Sequence, residues 1–227
     1  MQKQVLKIFL VILPLIPCIG CAPAKVIGIL TTPAPSETKI KAEYNIAKLT
    51  TGRIIVLVDQ AVWAEAETNF RPYLTEAINL QLSKRAKLKD EFLVSYSQLS
   101  RFRSARPDFE MLSPAELGTA FGAEKVLVVA IEDYELYELA GSGYYKGSLD
   151  TRSFLFDVQT GRMLWPSSAK GKAVSISLDS ARDDDDDAAA KLLAKTSAHC
   201  IVRYFYDCPK NKFKTWGERI REDIKHW

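Results

Sequence analysis

The chain has 227 residues, 47% of them hydrophobic and 26% charged, with 31 Lys plus Arg against 28 Asp plus Glu. Setting aside Lys3 and Lys7, which belong to an N-terminal leader, lowers the formal surplus from three to one. The sequence pI near 8.6 therefore leaves no electrostatic footprint for nucleic acid.

Behind those two lysines, residues 8–17 read IFLVILPLIP, an apolar run of ten. As a helix it measures about 15 Å, half of a hydrocarbon core roughly 30 Å thick. Pro14 and Pro17 also disfavour a continuous rod. The length indicates an export signal over residues 1–20. The run ends in Cys18-Ile19-Gly20-Cys21. This resembles the lipobox of bacterial lipoproteins, with Cys18 where a leucine is common. The resemblance implies cleavage before Cys21, acylation of its sulfur (palmitate being the label for it), and a periplasmic protein held to a membrane by lipid. Ala22 in place of an aspartate beside that cysteine implies the outer membrane. Plain secretion after cleavage near Ala22 to Ala24 is the alternative. Residues 21–49 carry Pro23, Pro33 and Pro35 among Thr, Ser and Lys, the composition of a flexible arm.

About 180 residues remain for one domain with a real core. RIIVLVD, residues 53–59, reads as a buried strand. A helix follows from about Phe70 to Lys84, with Leu74, Ala77, Ile78 and Leu82 inward and Pro72 in its first turn. EFLVSYSQL, residues 91–99, reads as a second strand, and RFRSARP, residues 101–107, as a basic solvated loop. Ser113 with Glu116 forms a capping box around Pro114, and Gly122 ends the short helix in a left-handed conformation.

Lys125 to Ile131 resumes a buried strand that continues to Tyr137, and Gly141, Gly143 and Gly147 make the next connection flexible. TRSFLFDVQTGRMLW is a hairpin turning at Gln159 to Gly161, and residues 171–178 form a further strand. Asp183 to Asp187 precede a helix reaching Tyr206, whose inward residues are Leu193, Cys200, Ile201, Tyr204 and Phe205. Residues 211–227 suggest a C-terminal amphipathic helix anchored by Trp216, Ile220 and Ile224. The reading is an α/β domain over residues 50–210: a mixed β-sheet packed against helices, in the order β-α-β-α-β-β-β-α with a C-terminal helix.

FGAEKVLVVAIEDY joined to FLFDVQTGRMLW resembles a group of bacterial envelope proteins. The group includes the amino-terminal domain of the Tol-Pal periplasmic protein, the curli secretion lipoprotein and the lipoprotein activators of peptidoglycan synthases. Gly122, Ala123 and Glu124 match its first phrase, with Glu124 at the usual aspartate. Asp157, Val158, Thr160, Gly161, Leu164 and Trp165 match its second. These phrases are structural: Asp157 and Thr160 suit turn hydrogen bonds, Gly161 a positive φ, and Trp165 packing. The resemblance implies an envelope protein as partner.

For chemistry the residues offer little. His199 and His226 are the only histidines, and adjacent helical residues such as His199 and Cys200 point about 100° apart. The aspartate run lacks the glycine and spacing of a calcium loop and reads as a solvated helix cap. No cofactor is indicated. Cys200 and Cys208 either bridge, if the helix ends before Cys208, or stay free. Tyr134, Tyr137, Tyr144 and Tyr145 form either a protein-binding surface or cross-strand packing. The reading is a non-catalytic, lipid-anchored protein that binds an envelope complex. A hydrolase using Glu132 or Asp133 with Asp157 and a secreted structural domain are the alternatives.

Overall fold

A computed structural model of the chain describes residues 38–60, 69–180, 186–215 and 217–219. The expected export signal, Cys21, the proline-rich stretch before Thr38 and most of the aspartate run lie outside the described residues.

The elements in chain order are β1 (Lys39–Ile40), α1 (Ile46–Leu49), β2 (Arg53–Gln60), α2 (Arg71–Lys84), α3 (Tyr96–Ala105) and α4 (Pro114–Ala120). Then come β3 (Ala123–Glu138), β4 (Tyr145–Asp157), β5 (Met163–Trp165), β6 (Lys172–Ser180), α5 (Asp186–Val202), β7 (Cys208–Pro209), α6 (Lys210–Phe213) and β8 (Glu218–Arg219). The mixed sheet runs β2-β3-β4-β6-β8, with β5 paired to β4. β2 and β3 are parallel, and the other pairings of this sheet are antiparallel. The expected fold class, a mixed sheet packed against helices, is the one observed.

Strand alternation and helix stripes explain the layers. Ile54, Val56 and Val58 of β2 join Leu127 and Val129 of β3 against Leu74, Ile78 and Leu82 of α2 and Leu193 and Ile201 of α5. The opposite face of the same two strands, at Ile55 and Val126, packs on Leu99, Phe109 and Leu117 from the α3–α4 region. At this end the parallel pair is covered on both faces, as its unbroken run of Ile, Val and Leu requires. Gly118 allows α4 to approach: a Cβ there would lie 2.1 Å from Val158 Cγ2.

The expected capping box at Ser113 and Glu116 is present, and Gly122 has φ +59°. The strand expected over residues 91–99 is a correction. Only Leu93 bridges β2, and α3 starts at Tyr96. Its cause is a second capping box, in which Ser95 Oγ accepts from the Gln98 N–H while Gln98 Oε1 accepts from the Ser95 N–H. The arginines read as a loop lie on or just after this helix, with Arg103 stacked 4.5 Å from the Phe109 ring centre.

Three further readings change. Residues 38–49, taken for arm, belong to the folded unit, and Ile46 is fully buried. The glycine-rich connection is a closed hairpin: the Leu139 N–H donates to the Tyr144 carbonyl at 2.7 Å, and the Gly143 N–H to Glu138 Oε1 at 2.8 Å. The C-terminal segment opens with the one-turn α6, then turns so that β8 pairs with β6. The rest of the expected C-terminal helix, residues 220–227, lies outside the described residues.

Candidate binding face

β3 and β4 form a hairpin of 16 and 13 residues. A register shift between Ile131 and Asp133 reverses which β3 side chains face inward, as a bulge does. Beyond it Tyr134 and Leu136 pack on the core, while Asp133, Glu135 and Tyr137 face outward. The four tyrosines therefore separate. Tyr134 lies with its ring 4.7 Å from Phe70, and Tyr145 is half-buried. Tyr137 and Tyr144, each 45% exposed, join Leu139 at 43% around the tip. This aromatic tip is held by its turn hydrogen bonds, so presenting it costs little ordering entropy.

The point where the N-terminal arm enters is fixed at the other end of the domain. β1 pairs with β7, Lys39 opposite Pro209 and Ile40 opposite Cys208. The N–H groups of Glu43 and Tyr44 both donate to the Tyr204 carbonyl. The Glu43 carboxylate accepts from Trp165 Nε1 at 2.9 Å and pairs with Lys172. Lys172 begins β6 opposite Ser153, and β6 ends at Ser180 opposite Tyr145, beside the hairpin tip. Roughly 26 Å of strand separates the two ends. Arm entry and tip occupy opposite poles.

The carboxylates named for a hydrolase do not converge. Asp157 stands opposite Lys125 and Asp150 opposite Asp133, which places Asp133 and Asp157 about 23 Å apart along the strands. Asp157 serves its own turn: its Oδ1 accepts from the Thr160 N–H at 2.8 Å and hydroxyl at 2.7 Å. The Thr160 hydroxyl and N–H hold the Asp157 carboxyl below the usual aspartate range. Glu132 pairs with Arg152. Burial pushes the Glu124 pKa up, but bonds from Lys125 and the Thr51 and Gly52 N–H groups together bring it below the usual range.

His199 and Cys200 likewise serve packing. The His199 Nε2 lies 2.7 Å from the Lys212 carbonyl, and burial lowers the imidazole pKa. Burial raises the Cys200 thiol pKa, the opposite of an activated nucleophile. Cys200 and Cys208 are both free and buried, so the bridged alternative is not adopted. Their sulfurs face different hydroxyls, Thr215 Oγ1 at 3.0 Å and Tyr206 OH at 3.5 Å. Asp187, from the end of the aspartate run, accepts from the Tyr73 hydroxyl at 2.7 Å and pairs with Lys191. Sequence reasoning missed Arg203, whose buried guanidinium pairs with Glu218. No local spacing links residues from two different elements in that way. Among the described residues no group of acidic, Cys and His side chains is placed to hold a metal, and no helix is long and apolar enough to cross a membrane.

No protein-family model matches the chain, and no curated protein matches it. Among solved structures it is similar to lipoprotein GNA1162 from Neisseria meningitidis, at 16% identity and a TM-score of 0.41, over 63% of this chain and 92% of that one. It is also similar to a PelC dodecamer from Paraburkholderia phytofirmans, at 12% identity and a TM-score of 0.40, over 74% of this chain and 95% of that one. At such identities and TM-scores neither likeness assigns a family or an activity to this chain.

Proposed function

We propose that this is a non-catalytic bacterial envelope lipoprotein, anchored through Cys21 and binding another envelope protein through the tip of its long hairpin. The observation that carries the binding role is the exposure of Tyr137, Leu139 and Tyr144 on a closed turn at the pole opposite the arm. Aromatic side chains so placed serve as anchors for a partner. The lipobox-like Cys18-Ile19-Gly20-Cys21 supports the anchor, and the resemblance to the Tol-Pal, curli and synthase-activator group supports an envelope partner on the periplasmic side of the outer membrane. The seventeen residues from Cys21 to Glu37 allow a reach of at most about 60 Å.

The test is photo-cross-linking in intact cells from a reactive residue placed at Leu139, with the captured proteins identified by mass spectrometry. Tyr137→Ala with Tyr144→Ala is expected to lower capture of the main product at least about tenfold, as loss of a binding anchor does. Capture that is unchanged by both substitutions refutes the binding role.

A further inference from the structure

The near-zero net charge hides a separation of charge between the two poles. The hairpin pole exposes Asp59, Asp133, Glu135 and Glu138, together with one cation opposite Tyr137, Lys146. The arm-entry pole exposes Lys39, Lys48, Arg85, Lys210, Lys212 and Lys214. Several contacts draw these cations from distant parts of the chain onto one end. Lys39 pairs in β1 with β7, and the Lys210 N–H donates to the Thr38 carbonyl at 2.8 Å. The Asp207 carboxyl feels both Lys41 and Lys48. His199 contacts the Lys212 carbonyl and feels the Arg85 charge, which places the end of α2 beside α6. Two acidic groups there are engaged, Asp207 with Lys41 at 2.9 Å and Glu43 with Lys172, while Asp90 and Glu91 are exposed just past Arg85, next to the exposed Lys87 and Lys89. The chain that leads to Cys21 leaves from the middle of this cationic surface, at Thr38.

We propose that this basic pole docks on a membrane surface bearing anionic phospholipid headgroups, with the acidic, aromatic hairpin directed away from it. The proposal rests on the lipoprotein reading and adds the orientation of the domain. A tether alone permits any orientation. The fixed charges select one: lysines near an anionic bilayer are attracted to it, while the carboxylates of the opposite pole are repelled. Lysine suits this surface because its ammonium ion on a long stem needs no preset geometry at a fluid array of phosphates.

The experiment uses the mature chain from position 21 onward carrying Cys21→Ser, which has neither an acyl chain nor the apolar leader, in flotation with vesicles of about 30% phosphatidylglycerol in phosphatidylcholine or of phosphatidylcholine alone. Binding is expected only to the anionic vesicles, and it should weaken as salt is raised. Each cation near such a surface contributes about fivefold to affinity. Lys210→Gln, Lys212→Gln and Lys214→Gln together should therefore weaken binding at least about tenfold. The charge-matched set Arg101→Gln, Lys146→Gln and Lys191→Gln, placed away from this pole, should leave it within about twofold. Equal binding to both vesicles, equal loss in both variant sets, or capture on purified peptidoglycan without vesicle binding overturns the proposal. The mass of the wild-type mature N-terminus tests acylation separately, so failure of the anchor is distinguishable from failure of the docking face.

Discussion

The ion pair of Arg203 with Glu218 offers the sharpest test of how this domain is held together. The Arg203 side chain is 3% exposed and that of Glu218 20%. The guanidinium donates through both terminal nitrogens to the carboxylate, and also to the Phe213 carbonyl and, at 2.9 Å, to the Tyr204 hydroxyl. It lies 4.4 Å from the centre of the Phe213 ring. Burial alone would favour losing the charge; the Glu218 and Tyr204 contacts outweigh it and keep Arg203 cationic. Glu218→Ala leaves that cation buried with no counter-ion. Breaking a buried pair in this way costs about 3–5 kcal/mol, and the partial exposure of Glu218 favours the lower end. For a domain of this size a loss of about 3 kcal/mol lowers Tm by roughly 6–12 °C. Urea titration and calorimetry read both quantities. Replacing the pair by Arg203→Met with Glu218→Leu should restore most of the loss, leaving the protein within about 1.5 kcal/mol of wild type, because an apolar pair avoids the desolvation cost. A Glu218→Ala cost below about 1 kcal/mol, or single effects that simply add in the double variant, would refute the account.

Two further outcomes follow from single contacts. Gly118→Ala should destabilise by about 1–3 kcal/mol despite alanine's better helix propensity, because the new Cβ meets Val158. Combining it with Val158→Ala should recover part of that loss in urea titrations, and a stabilised single variant would contradict the close approach. Asp157 titrates below the usual aspartate range in the folded state because of the Thr160 hydroxyl and N–H. Its contribution is therefore full above the unfolded pKa and disappears as pH falls through the folded one. The stability gap between wild type and Asp157→Asn should shrink from about pH 5 downward; a gap independent of pH would show that ionisation is irrelevant to the turn.

Local chemistry was readable where a residue's partner lies within a few positions. Ser113, Glu116, Gly122 and the Asp157–Thr160–Gly161 turn were all recognisable before any contact was known. The same rule was present in Ser95 and Gln98, but the apolar residues of FLVSYSQL suggested a strand, and the cap decided against it. The hairpin was underestimated because glycines signal freedom in isolation, whereas Gly143 here donates to Glu138. Contacts such as Glu43 with Trp165, or Arg203 with Glu218, leave no periodic mark. For the binding face, tyrosine content was visible, but the bulge beside Asp133 determined which rings turned outward. The separation of cations from carboxylates is equally a product of folding, since strongly basic segments from both ends of the domain meet only in three dimensions.

The pairing of β1 with β7 also sets an order of events. Lys41 meets Asp207 across 166 positions of sequence, so the segment made earlier must wait for one made much later. Emerging from a ribosome or a translocation channel, the nascent polypeptide cannot close this clasp until Asp207 has been delivered. Completion of the domain thus waits on delivery of Asp207, and a chain truncated before it would leave the segment around Lys41 unclasped.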